Sequence, residues 1–197
     1  MQSNKKITDK RRFSVVMKIT AIVIVMAVLI GSTAIYAGYY LHSTTMNQYY
    51  KNQVVNISKT LSKYIPADYI EQLKEAASDP ELETVREEAI ASDNPDLVKN
   101  WMIQKGVYDD YEKVLSILED FRNNMGMTYV YVLNNQANYS TYLADPDEDM
   151  TIFGKREDNT AGFEQYTSNE EIPPTVSEGE YGWLCSGYEP IYSEDGK

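Results

Sequence analysis

From Ile19 to Leu41 the chain reads ITAIVIVMAVLIGSTAIYAGYYL, 23 residues without a single charge. Coiled as a helix at 1.5 Å per residue, this run is about 34 Å long, enough to cross a hydrocarbon core of about 30 Å with some tilt. The apolar pattern then changes period. Tyr50, Val54, Ile57, Leu61 and Tyr64 follow one another at intervals of 4, 3, 4 and 3, Met46 adds a turn toward the apolar run, and Pro66 stops the pattern. This predicts a long outer helix with one apolar stripe. Two packings are open for the stripe: a heptad seam that makes a homodimer through the outer helix, or docking on the chain's own sheet.

Proline with an acidic neighbour marks the start of a helix, because the first turn has no use for the missing N–H. Pro66 with Asp68, Asp79 with Pro80, and Asp93 with Pro95 therefore predict helices over 66–77, 79–91 and onward through Trp101 and Met102. A better amphipathic helix covers 109–124, with Tyr111, Val114, Leu115, Leu118 and Phe121 on one stripe and Gly126 beyond its end. It should pack on a sheet. Residues 128–133 (TYVYVL) and 139–144 (YSTYLA) are β-branched and aromatic and predict a hairpin around a turn at 134–138. Residues 145–179 have no placeable period. Strands are expected again at 181–185 and 188–192, and Asp195-Gly196 is a hairpin turn signal with no strand after it, so the expectation is a sheet whose last strand is missing from the fragment. The class expected is α+β.

Charge divides the chain more sharply than composition does. Residues 1–18 carry a net +5, residues 42–197 a net −17, and the whole chain −12. Short basic flanks stay in the cytoplasm, so the reading is a cytoplasmic tail (1–18), a transmembrane helix (19–41) and an extracytoplasmic domain (42–197) in the cell membrane. Tyr36, Tyr39 and Tyr40 fall at the outer interface. A cleavable signal peptide is the rival, although its apolar region runs to about 7–15 residues and ends in a small-x-small site. A buried soluble helix would need a larger core than 156 residues supply. Nucleic acid is excluded as a partner, since nothing past residue 18 offers a basic face to displace phosphate counterions. One cysteine, Cys185, and one histidine, His42, leave no disulfide framework, no Cys-based zinc site and no imidazole catalysis beyond His42.

A membrane helix, a long outer helix, a helical stretch, YVYVLN, a second strand ending in YLAD, then Gly154 and a late GYEPIYSEDGK resembles a Cache domain, the PAS-like extracellular sensor module of bacterial transmembrane receptors. The resemblance covers about residues 42–197, and its most family-like part is 187–197. It implies a PAS-like antiparallel sheet covered by helices and a sensory input role. In that family such modules feed chemotaxis, histidine-kinase or diguanylate-cyclase output domains through a second membrane helix. The aromatic, arginine, tryptophan, tyrosine and aspartate set of the amino-acid-binding subgroup does not align onto this chain.

The expected partner is a small extracellular ligand, polar and charged. The chain's 17 tyrosines supply rings with polar tips, suited either to a pocket wall or to a half-buried sheet surface. Alternation puts Tyr129 and Tyr131 on one side of their strand, opposite Val130 and Val132. Tyr142 stands near Asp145, and the late segments add Trp183 and Tyr188. A carboxylate at Asp145 would select an amine, whereas Arg156 turned inward would select a carboxylate ligand. No cofactor and no metal is expected: Asp145, Asp147 and Asp149 mimic the start of a calcium loop, but Met150 and Arg156 stand where glycine and glutamate belong. No nucleophile–base set marks an enzyme. The rival to a sensor is a membrane-anchored interaction module without a small ligand.

Overall fold

The computed structural model describes residues 3–159, 172–179 and 182–192. Among these residues the architecture is α+β: one long N-terminal helix carrying the apolar run, four further helices and two small antiparallel sheets. The chain divides into two units, 1–50 and 51–197.

The first unit is helical from Ser3 onward, part of α1 (Ser3–Tyr64). The large apolar side chains of residues 19–41 are all exposed, from Met26 at 52% to Ile35 at 75%, so none of the run is packed inside the chain. Ser32 and Thr33 donate their hydroxyls back to Val28 and Leu29 carbonyls, which satisfies both groups within the helix.

The second unit holds the core. The last turn of α1 contributes Leu61, and the helix ends where Pro66 forces extended backbone (φ −64°, ψ 127°) and opens α2 (Ala67–Ala76). Helix α3 (Pro80–Ala91) starts as the proline signal requires, with Asp79 accepting from the Glu81 N–H at 2.9 Å. Helix α4 (Asp96–Lys105) stops at Gly106, whose φ of +76° only a residue without Cβ adopts cheaply. Helix α5 (Tyr108–Met125) buries Tyr111, Val114 and Leu118 completely and ends at Gly126. The expected stripe is thus the buried one.

The first sheet has the order β1 (Val132–Asn135), β2 (Tyr139–Ala144), β3 (Arg156–Asp158). Strand β1 begins four residues later than its composition suggests. The ladder runs on through Asn134↔Thr141 and Asn135↔Ser140, with an irregularity between Val132 and Leu133, and the Gln136 N–H closes the turn on the Tyr139 carbonyl. Two asparagines that read as turn residues are strand residues because their backbone finds a partner. Burial still alternates before the strand: Val130 and Val132 are buried, Tyr129 and Tyr131 exposed. A 3-10 turn (Met150–Ile152) and the short charged edge strand β3 occupy the stretch that sequence periodicity leaves unplaced. The second sheet pairs β4 (Thr175–Gly179) with β5 (Gly182–Ser186).

The expected strand over 188–192 is irregular instead. Pro190 has no N–H for a ladder, and the segment lies against the chain's own helix: a Cβ on Gly187 would meet Val54 Cγ1 at 3.0 Å, and Ile191 packs on the core. The Asp195-Gly196 turn falls outside the described residues. The stripe on α1 is engaged within the chain at three positions: Leu61 is in the core, Val54 sits under Gly187, and the Tyr64 ring lies 5.5 Å from Phe121.

Gly154 shows how tightly the sheet meets the helices. Its φ is +78°, and a Cβ there would stand 2.4 Å from Leu82 Cδ2, itself buried. The turn that carries β3 can therefore approach α3 only through glycine.

Candidate functional site

Strand β2 is the scaffold. Leu143 and Ala144 at its end are fully buried, and the next residue, Asp145, remains 92% covered. Its Oδ1 accepts from the Asp147 N–H at 2.9 Å, an Asx turn over Pro146 that fixes the carboxylate. Burial holds the Asp145 carboxyl above its ordinary pKa of 3.8, outweighing the hydrogen bond.

Around it three tyrosines converge. The Tyr131 and Tyr142 rings lie 5.9 Å apart and tilted by 51°, in aromatic contact. Tyr131 keeps 44% of its surface exposed, and partial desolvation still raises the pKa of its hydroxyl, with Tyr188 and Asp145 within electrostatic reach. Burial also raises that of Tyr142, and Glu157 adds to it by accepting the Tyr142 hydroxyl at 3.3 Å. Lys155 Nζ donates to Glu157 at 2.7 Å and lies 5.6 Å over the Tyr142 ring. This is an aromatic and carboxylate cluster that already hosts one ammonium group.

Four of the seven expected residues, Tyr131, Tyr142, Asp145 and Tyr188, therefore belong to one cluster. Tyr129 is exposed on the segment leading to β1. Arg156 projects to the other face of β3 from Glu157 and stacks on the Tyr139 ring at 5.1 Å. Trp183 stands on the separate two-stranded sheet, 69% exposed. Sequence reasoning missed Lys155 and Glu157, although the alternation of Lys155 and Glu157 around Arg156 was the available signal. The acidic loop is organised by its own backbone and one cation: Asp149 caps the 3-10 turn by accepting from the Thr151 N–H, and Asp147 pairs with Arg122.

A groove of about 540 Å³ lies beside this cluster, between the α2–α3 turn and the segment entering β3. Asp79, Glu83, Arg86, Gly154, Lys155 and Arg156 are in its wall. Arg86 was also missed. Its signal was an arginine on the core stripe of α3, between Leu82 and Ala89.

The raised Asp145 pKa fixes the sign of a pH effect. The folded state keeps this proton at pH values where the unfolded chain has released it, so stability falls as pH rises from 3.8 through the folded-state value and then levels. Asp145→Asn keeps the Oδ1 acceptor and removes the titration. Thermal unfolding of parent and variant across about pH 3.5–7 should show the variant gaining on the parent through that window. A constant difference would show that Asp145 does not titrate there.

Comparison with family models, with curated proteins and with solved structures gives no match.

Proposed function

We propose that this chain is the ligand-sensing input region of a bacterial transmembrane receptor of the Cache type. The apolar run crosses the membrane with the basic tail inside, and residues 42–197 face outward. The observation that carries this reading is that the helix bearing the exposed apolar run continues to Tyr64 and ends with Leu61 inside the α/β core. A ligand that changes the packing of that core acts directly on the final turns of the same helix. Only a difference in affinity between two packings transmits a signal.

The ligand site in this reading is the wall of Tyr131, Tyr142, Asp145 and Tyr188. With Arg156 turned to the other face of its strand, the chemistry left is two carboxylates and three rings, which suits an amine or other cation. A small cationic ligand would compete with Lys155 for the Tyr142 face. A second copy of the chain would meet α1 at Tyr49 and Tyr50, which are exposed, rather than at Val54 and Leu61.

The test is a thermal-shift screen of the full chain in detergent micelles against amines, amino acids and organic acids. At a hundredfold excess over Kd, an amine should raise Tm by roughly 5–10 °C, corresponding to about 2.7 kcal/mol. Tyr142→Ala and Asp145→Asn should lose that response. If no amine stabilises the parent, or if the variants respond equally, the cation site is wrong. The rival reading, a membrane-anchored assembly module, would then gain; the exposed Trp183 on its two-stranded ribbon favours it.

A further inference from the structure

Arg86 is in an unusual position for a surface charge. It occupies a core-facing place on α3, its side chain is 7% exposed, and its Nε donates to the Thr151 carbonyl at 2.8 Å, which fixes the plane of the guanidinium. A buried cation is normally matched by an equally buried anion. Here the match is Glu83, which accepts from Arg86 Nη1 at 2.8 Å while its own side chain stays 60% exposed. Glu83 comes from the same helix, one turn earlier, on a long and solvent-exposed side chain. Such a pair is easily exchanged, because an exposed carboxylate gains little from a single charge partner in water.

The rest of the groove wall increases the positive balance. Asp79 is held by Lys105, whose Nζ lies 2.8 Å from it and 3.0 Å from Glu81, and this contact keeps the Asp79 carboxyl below its ordinary range. Lys105 therefore neutralises the groove's other carboxylate from outside the wall. Arg156 makes no ion pair among the described residues and stacks on Tyr139. Lys155 shares its charge with Glu157. In a domain of net −17, one concavity thus gathers Arg86, Lys155 and Arg156. Its volume of about 540 Å³ is that of a small-molecule site.

We propose that this groove binds a small carboxylate-bearing molecule, with Arg86 as the fork that receives the carboxylate, Arg156 and Lys155 as supporting charges, and Glu83 as a built-in competitor. The ligand carboxylate takes Glu83's place at Nη1, and Glu83 swings into solvent. The planar guanidinium suits a carboxylate better than an ammonium would, because two parallel N–H donors match two oxygens. The two sites take ligands of opposite charge and have Lys155 in common, but Glu83, Arg86 and Arg156 lie outside the tyrosine cluster, so variants at those positions test the groove alone.

The competitor gives the test its direction. Equilibrium dialysis of the full chain in detergent micelles with labelled succinate should show one saturable site. Glu83→Gln removes the competing charge and should tighten succinate binding about fivefold. Arg156→Gln should weaken it about three- to tenfold. Both positions carry exposed side chains, so neither variant depends on refolding the core. Lys99→Gln, which removes a cation remote from the groove, should leave the affinity unchanged. Inorganic phosphate serves as a second probe: if it displaces succinate at equal concentration, the site reads anionic charge rather than the carboxylate fork, and the carboxylate assignment fails. The proposal is overturned if neither the parent nor Glu83→Gln binds succinate saturably, if Glu83→Gln weakens binding, or if Lys99→Gln and Arg156→Gln lower it equally.

Discussion

Phe153→Ala is expected to cost about 3–5 kcal/mol, lowering Tm by about 10 °C or more. The ring is fully buried and meets Tyr111 edge-on, with centroids 5.6 Å apart at 78°. The size of the effect depends on whether the site can collapse around the lost ring, and two neighbours prevent that. The Phe153 N–H is bonded to the Met150 carbonyl, and the next residue, Gly154, already touches Leu82 with no room to advance. The cavity therefore stays open. Trp183→Ala removes a larger side chain that is 69% exposed and should change stability by no more than about 0.5 kcal/mol. Denaturant unfolding followed by circular dichroism checks both. A loss at Phe153 no larger than that at Trp183 would mean that the turn after the 3-10 segment is not part of the cooperative core.

The second expected result concerns the apolar run. The double substitution Val25→Asp with Leu29→Asp should abolish membrane integration, because two aspartates near the middle of a span cost about 6–8 kcal/mol of insertion free energy relative to valine and leucine. Both residues are exposed on α1, so no packing within the chain is disturbed by the change. After alkaline extraction of cell membranes, the parent should stay in the pellet and the variant should not. Intact mass of the parent separates the two membrane readings: retention of residues 19–41 identifies an anchor, and their loss identifies a cleaved signal. A variant that still resists extraction would overturn the spanning assignment.

The helical half of residues 51–197 is legible in the sequence. Prolines at 66, 80 and 95 and glycines at 106 and 126 act on their own backbone, and local backbone chemistry does not depend on what packs nearby. The stripe Tyr111, Val114 and Leu118 was legible for a related reason, since a 3.6-residue period declares which face is buried. The charge-free run was equally plain.

What the sequence left undetermined depends on contacts distant along the chain. Strand β3 has the composition of a solvated loop, and it is a strand only because β2 offers an unpaired edge. Residues 188–192 have the composition of a strand, and Pro190 together with Val54 under Gly187 keeps them out of a ladder. The candidate site divides in the same way. That Tyr131 and Tyr142 share a face follows from alternation and hairpin pairing, but the addition of Glu157, the turning away of Arg156 and the placing of Arg86 beside Gly154 needed the fold. A sequence fixes which residues can be buried, because period and turn chemistry are local; only tertiary structure decides which charge ends beside which ring, because that depends on segments brought together after the chain has closed on itself.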